Sequence, residues 1–194
     1  MKKIQDYFFK EARKQGYVAR SAFKLEEMDR KFRLLRRGQH VIDLGCAPGS
    51  WLQYAAKKVL PEGSLNGVDL KQVKIQFPES VRIFQCDISM LEESILASSR
   101  FDLVLSDMAP DTTGIPSVDS QRSYDLNSQA LSFAQRHLKP GGTLVLKAFQ
   151  GEPLNRLKSE IRPCFESFKL FKPKSSRSES VEIFVLGFSL LPQS

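Results

Sequence analysis

Cysteine, histidine and tryptophan are scarce in this chain: three, two and one among 194 residues. Cys46, Cys86 and Cys164 are scattered and odd in number, with no Cys-x-x-Cys spacing, which argues against a disulfide framework or a zinc site. His40 and His137 each read as the end of a strand or helix rather than as a metal ligand, so no metal is expected. No apolar run is long enough to span a bilayer. The first residues, Met1 to Asp6, are charged and lack an apolar secretory segment. Repeats and low-complexity tracts are missing too. These absences leave a globular protein of cytoplasmic location with no membrane partner, and its length suits one domain with a full core.

Acidic residues are outnumbered, but only locally. Net charge is +7; residues 1–37 hold twelve Lys/Arg against five Asp/Glu, and residues 38–194 hold seventeen of each. The whole excess therefore lies in the N-terminal segment. That asymmetry suggests a polyanion, nucleic acid above all, although a merely solvated charged face gives the same composition. If RNA is the partner, charge reversal at Arg33, Arg36 and Arg37 is expected to weaken its binding and flatten the salt dependence.

The most informative stretch is Val41-Ile42-Asp43-Leu44-Gly45-Cys46-Ala47-Pro48-Gly49-Ser50-Trp51. An apolar run ends in an acid, a glycine-containing turn follows, and an amphipathic helix starts at Ser50. This is the first strand, turn and helix of a nucleotide-binding α/β fold. The turn reads G-x-x-P-G, not G-x-G-x-x-G and not the P-loop pattern. Pro48 has no N–H to offer a phosphate, and Trp51 at the helix start would crowd a pyrophosphate. A nucleoside without phosphates fits better, S-adenosylmethionine (AdoMet) being the common one. The competing reading is an ordinary strand-to-helix turn.

Helices are expected over Asp6–Gln15, Ser21–Phe32, Ser50–Leu60, Ser89–Ser99, Asp119–His137 and Glu152–Arg162. Ser21 reads as an N-cap, with Ala22, Leu25, Met28 and Phe32 as the apolar face behind it. Strands are expected over His40–Leu44, Ser64–Asp69, Val81–Gln85, Phe101–Ser106 and Gly142–Ala148, the last launched by the turn at Lys139–Gly142. Two more, Ser167–Phe171 and Val181–Phe188, have no helix between them. The alternation implies an α/β fold with a mostly parallel, doubly wound seven-stranded sheet, helices on both faces and an antiparallel last strand. Residues 1–38 form a basic helical segment of the same domain, and 39–194 carry the α/β core.

Ligands in such sheets bind beyond the C-terminal strand ends. Asp43, Asp69, Asp87, Asp107 and Lys147 all fall there. Asp69 lies about 20 residues past the glycine turn, where an acid accepts both ribose hydroxyls, and Asp87 is placed to accept from an adenine amino group. Each acid alone reads as a turn or cap residue; together they favour a ligand. Lys147 ends an apolar strand beside Asp107, either as a stabilising ion pair or as part of an active site.

Four segments, Asp43 to Trp51, Ser106 to Pro110, Leu146 to Gly151 and Arg20 to Leu25, together resemble the FtsJ/RrmJ family, and the similarity runs from about Tyr7 to Gly187. The resemblance implies a Rossmann-like AdoMet-dependent methyltransferase fold and 2′-O-methylation of ribosomal RNA, with a uridine in the A-loop of the large subunit as target. It implies a catalytic tetrad of Lys24, Asp107, Lys147 and Glu182. It also implies cofactor contacts from Gly49, Trp51, Asp69, Asp87 and Asp107, with ribosomal RNA or the large subunit as partner; separately from the resemblance, a monomer is expected. Cys46 and Ser50 stand where bacterial members carry Ala and Gly, and the N-terminal extension is short. Lys147 is then the first candidate for the base on the 2′-hydroxyl, with Asp107 as the alternative proton acceptor. The basic N-terminal segment and the loop holding Lys172, Lys174 and Arg177 are expected to meet RNA. Three other readings stand beside this one: a small-molecule O-methyltransferase, a methyltransferase for another RNA, and a non-catalytic ribosome-assembly factor that binds RNA.

Overall fold

Short β-branched and aliphatic runs separated by amphipathic segments give strands that can be buried only by covering both sheet faces with helices. The computed structural model describes residues 2–91, 100–177 and 179–192. In chain order they form α1 (Lys2–Lys14), α2 (Ala22–Phe32), β1 (His40–Leu44), α3 (Ser50–Val59), β2 (Ser64–Asp69) and β3 (Val81–Gln85). A 3₁₀ turn (Ile88–Met90) follows, then β4 (Phe101–Ser106), α4 (Pro116–His137), β5 (Leu138–Phe149), α5 (Pro153–Ile161), β6 (Phe165–Phe171) and β7 (Glu182–Leu190). The helix expected over Ser89–Ser99 falls almost wholly on 92–99, outside the described residues. No helix among the described residues is long and apolar enough to cross a membrane.

The seven strands lie in the order β3-β2-β1-β4-β5-β7-β6. Strands β1 to β5 pair in parallel, and β7 runs antiparallel to both β5 and β6. This is the mostly parallel, doubly wound α/β sheet expected from the alternation. Strand order reverses between β1 and β4, the switch point at which the loops diverge and leave a crevice. Alternate residues of β1 serve the two faces. Val41 packs with Leu25, Met28, Leu52 and Ala55 of α2 and α3, whereas Ile42 and Leu44 pack with Tyr124, Ala130, Phe133 and Leu157 of α4 and α5.

Two local expectations are corrected. Ser21 stands at the N-cap position of α2, yet its backbone is already helical and its hydroxyl caps nothing. Instead Ser21 Oγ lies 2.7 Å from Ser50 Oγ, and its carbonyl accepts from Trp51 Nε1 at 2.9 Å, tying α2 to α3. Strand β5 begins at Leu138 rather than Gly142, because Lys139–Gly142 bulges within a shifted register against β4 instead of turning ahead of it. A further tie was not anticipated. Asp29, buried on α2, accepts from Leu35 N at 2.8 Å and from Tyr54 Oη at 2.9 Å, fixing the exit of α2 against α3.

Candidate active site

At the switch point a cavity of about 670 Å³ opens beyond the C-terminal ends of β1, β2 and β4, with Gly45, Asp69, Asp87, Asp107 and Lys147 on its wall. Asp69 is held by the β1–α3 turn: its Oδ2 accepts from Ala47 N at 2.8 Å and its Oδ1 from Lys71 N at 2.7 Å. Each oxygen keeps a second lone pair for another donor. Asp87 accepts from Ser89 N and Ser89 Oγ, both on Oδ1. These two bonds hold its carboxyl below the usual range. Gly45 has φ +77, and a Cβ there would stand 2.7 Å from Met108 Cγ, so only glycine lets the β4–α4 loop close over the turn.

The turn offers little to a phosphate. Gly45 N and Cys46 N donate to Val68 O at 2.8 and 3.1 Å, Ala47 N donates to Asp69, and Pro48 has no N–H. Trp51 plays no part in that exclusion: its indole is buried, bonded to Ser21 O and packed 5.8 Å from the Phe184 ring. The expectation that it would crowd a pyrophosphate is therefore corrected, because the side chain turns into the core. Gly49 caps α3 at φ +109, where an added Cβ would meet Ile75 at 2.8 Å. Neither Gly49 nor Trp51 lines the cavity. Both lie at the first turn of α3, whose amides have no intrahelical acceptor.

Lys24, Asp107, Lys147 and Glu182 come together as two ion pairs. Lys147 Nζ lies 2.8 Å from Asp107 Oδ1 and also donates to the Asp107 main-chain carbonyl. Lys24 Nζ lies 2.6 and 2.7 Å from the two oxygens of Glu182. Lys147 faces Phe184 across the β5–β7 ladder, and Glu182 lies two residues from Phe184 on the same face. Lys24 reaches that face from α2, 6.0 Å from the Phe184 ring centre. Burial works to raise the Glu182 carboxyl, but Lys24, with a smaller contribution from Lys147, holds it below its ordinary value.

Asp43 is the residue whose weight the sequence understated. It is buried at 1% exposure, and neither carboxylate oxygen has a hydrogen-bond partner. Burial, then the nearby carboxylates of Asp107 and Asp69, push it well above the usual range against the pull of Lys147. A site with this much acid and too few donors is suited to a cation. Among the described residues, no group of three or more His, Cys, Asp or Glu side chains is arranged to hold a metal ion.

The loop between β6 and β7 folds back on α2. Glu27 accepts from Lys174 N at 2.7 Å and Ser175 N at 2.8 Å, and Arg20 Nη2 donates to Ser175 O at 2.8 Å. Burial and then Arg177 lower the Arg20 guanidinium, which marks the two arginines as neighbours. The Lys172, Lys174 and Arg177 loop is thus anchored to the helix that carries Lys24.

Residues 17–190 match the family model described as FtsJ-like methyltransferase. A protein of Desulfatibacillum aliphaticivorans named ribosomal RNA large subunit methyltransferase E is 45% identical over 95% of this chain and 90% of its own length. One of the same name from Sorangium cellulosum is 44% identical over 95% and 88%. Among solved structures, a Plasmodium falciparum protein described as a ribosomal RNA methyltransferase superposes with a TM-score of 0.81 at 27% identity, covering 91% of this chain and 100% of that one.

Proposed function

The chain belongs to the FtsJ-like methyltransferase family, and from that premise we propose that it transfers a methyl group from AdoMet to a ribose 2′-hydroxyl of large-subunit ribosomal RNA, at a uridine of the A-loop. One observation carries the reading: two lysine–carboxylate pairs stand on one sheet face at the edge of a cavity whose wall offers the strand-end carboxylates Asp69 and Asp87. The relatives named as large-subunit ribosomal RNA methyltransferases support the substrate class.

The residues present fit AdoMet. The cavity has the size of small-ligand sites, and Asp69 has spare lone pairs for ribose hydroxyls. The turn amides are engaged, as suits a nucleoside without phosphates. The first-turn amides of α3 beside Gly49 and Trp51 suit a carboxylate, and Asp107 on the cavity wall suits a sulfonium. Asp87 would accept from the adenine amino group. Bound there, AdoMet supplies a methyl carbon made electrophilic by its sulfonium.

This chain's own residues then act on the 2′-hydroxyl. An ion-paired ammonium is a donor, not a base. Lys147 gives two contacts to Asp107, and a third N–H is left to orient the hydroxyl oxygen. Asp107 is the acceptor nearest to that donor and takes the hydroxyl proton on its carboxylate. Lys24 and Glu182 neutralise each other and hold the flank of the site. Alignment of this kind supplies much of the acceleration when no covalent intermediate forms. Arg20, Lys174 and Arg177 would receive the phosphates beside the target ribose.

The test is methyl transfer from labelled AdoMet to large ribosomal subunits lacking the modification, and to the same RNA freed of protein, with the modified nucleotide mapped. Label on one ribose of the A-loop is expected. Label on a base, or none on large-subunit RNA under conditions that label another RNA, would overturn the assignment.

A further inference from the structure

The positive charge of the first 38 residues does not all reach the proposed active edge. Helix α2 brings Lys24 to Glu182, but its far end and the residues after it run to the opposite edge of the sheet, where β1, β4 and β5 begin. There Arg33, Arg36, Arg37, His40 and Lys139 line a second cavity of about 650 Å³. Along β4 the two edges are separated by the run from Asp102 to Asp107, roughly 16 Å at about 3.3 Å per residue.

Acid at this edge is already neutralised. Asp102, the one acidic residue of the lining, accepts from His40 N and from Lys139 Nζ, both at 2.7 Å. Arg37 pairs with Glu62 at 2.8 Å. Arg33 and Arg36 are exposed, and neither guanidinium has an ion-pair partner among the described residues. The backbone supplies an independent sign. Among the described residues, only Arg33 (φ 55) and Ser189 (φ 57) are non-glycine residues with positive φ, and both line this cavity. Arg33 ends α2 in the left-handed conformation, its N–H bonded to Asp29 O, at the helix position where glycine is the favoured residue. A long cationic side chain occupies that left-handed position, where glycine would be unstrained.

We propose that this far-edge cavity is a second binding site for the RNA sugar-phosphate backbone, with Arg33 and Arg36 as its phosphate contacts. The inference rests on the RNA reading above. Guanidinium groups without acid partners match phosphate oxygens bidentately and are readily desolvated. A short hairpin filling the active edge does not reach the far edge. A large folded RNA, with strands on both sides of the protein, does. The second site would therefore select the long, folded substrate over an isolated target loop.

The test compares the wild type with Arg33→Glu/Arg36→Glu and with Arg36→Glu alone, which leaves the helix end untouched. The probes are protein-free large-subunit RNA, a short hairpin carrying the target loop, intact large subunits, and inorganic phosphate. Each lost phosphate contact lowers the slope of log affinity against log salt by about 0.9, so the double variant is expected to lose roughly two units of slope and at least tenfold in affinity for the long RNA. Arg36→Glu should lose about half of that slope, while hairpin binding and hairpin methylation stay at wild-type level. An unchanged slope on long RNA overturns the proposal. So does an equal loss on hairpin and long RNA, which would mean long-range charge acting on the active edge. A loss confined to intact subunits overturns it in favour of an acidic protein partner, and phosphate binding lost without any change in long-RNA binding overturns it in favour of a small-anion site. If the wild type methylates and binds no RNA of either length, the RNA reading falls with it; if the hairpin is methylated and long RNA is indifferent to the substitutions, only the second site falls.

Discussion

Replacing Lys147 separates chemistry from stability. Its Nζ lies 2.8 Å from Asp107 Oδ1, and the two side chains are 10% and 20% exposed. Lys147→Ala leaves a largely buried carboxylate without its cation. A hydrogen bond to a charged group contributes about 1.5–3 kcal/mol. Water still reaches part of Asp107, so the low half of that range applies and a loss of about 2 kcal/mol is expected. For a chain of this length ~1 kcal/mol moves Tm by about 2–4 °C, so Tm should fall by roughly 4–8 °C, with the protein still folded at 25 °C. Single-turnover methylation should fall much further than this predicts, by ~10²-fold, the cost typical of misplacing a reacting group, since Lys147 orients the hydroxyl. AdoMet and RNA affinity should hold, because Lys147 acts on the hydroxyl rather than on either bound ground state. Lys147→Arg restores a cation beside Asp107 and should recover most of the Tm. It should recover little of the rate, because a planar fork presents its donors in a different geometry from the ammonium that orients the hydroxyl. Melting temperature and single-turnover rate are to be measured on one preparation. A folded Lys147→Ala protein with wild-type single-turnover chemistry would remove this residue from the mechanism and leave the Lys147–Asp107 contact as a stabilising ion pair.

Asp69→Ala should weaken AdoMet binding by about 1–3 kcal/mol, the range for a buried polar partner lost; unchanged affinity by calorimetry in a folded variant would refute the ribose assignment. Asp43→Asn should change how stability varies with pH. The folded carboxyl is pushed up by burial first and by Asp107 and Asp69 next, so the wild type gains stability from this proton below the unfolded value of about 4 and loses it as pH rises through the folded pKa. Relative to wild type, the asparagine variant should therefore become more stable with increasing pH above ~4; parallel curves in chemical denaturation would contradict an unpaired buried acid. Asp29→Ala should destabilise by about 3 kcal/mol, because Leu35 N and Tyr54 Oη both lose a charged acceptor. Its AdoMet affinity should stay at the wild-type value, and a selective loss of affinity would place Asp29 in the site rather than under it.

Local signals in the sequence carried most of the architecture. Apolar alternation, Gly and Pro punctuation and the acid at each strand end are short-range features, and β1, β2, β3 and β4 fall where those features put them. The strand-end acids Asp69, Asp87 and Asp107 also meet on one cavity wall, as the parallel topology requires. Periodicity has no means of conveying side-chain direction at a single position or pairing across long separations. Trp51 was read from its position at the turn, but its indole is committed to Ser21 and Phe184, whose placement depends on how α2 and β7 pack. Lys24 and Glu182 are 158 residues apart and meet only once β7 has inserted between β5 and β6; family resemblance, not spacing, joined them beforehand. The basic segment shows the same limit with the largest consequence for function. Its arginines and lysines are neighbours in sequence, so they read as one surface. A helix of 11 residues is about 16 Å long, close to the roughly 16 Å between the two sheet edges along β4. Helix α2 therefore carries Lys24 toward one edge and delivers Arg33 and Arg36 to the other, dividing a single run of charge between two ends of the molecule.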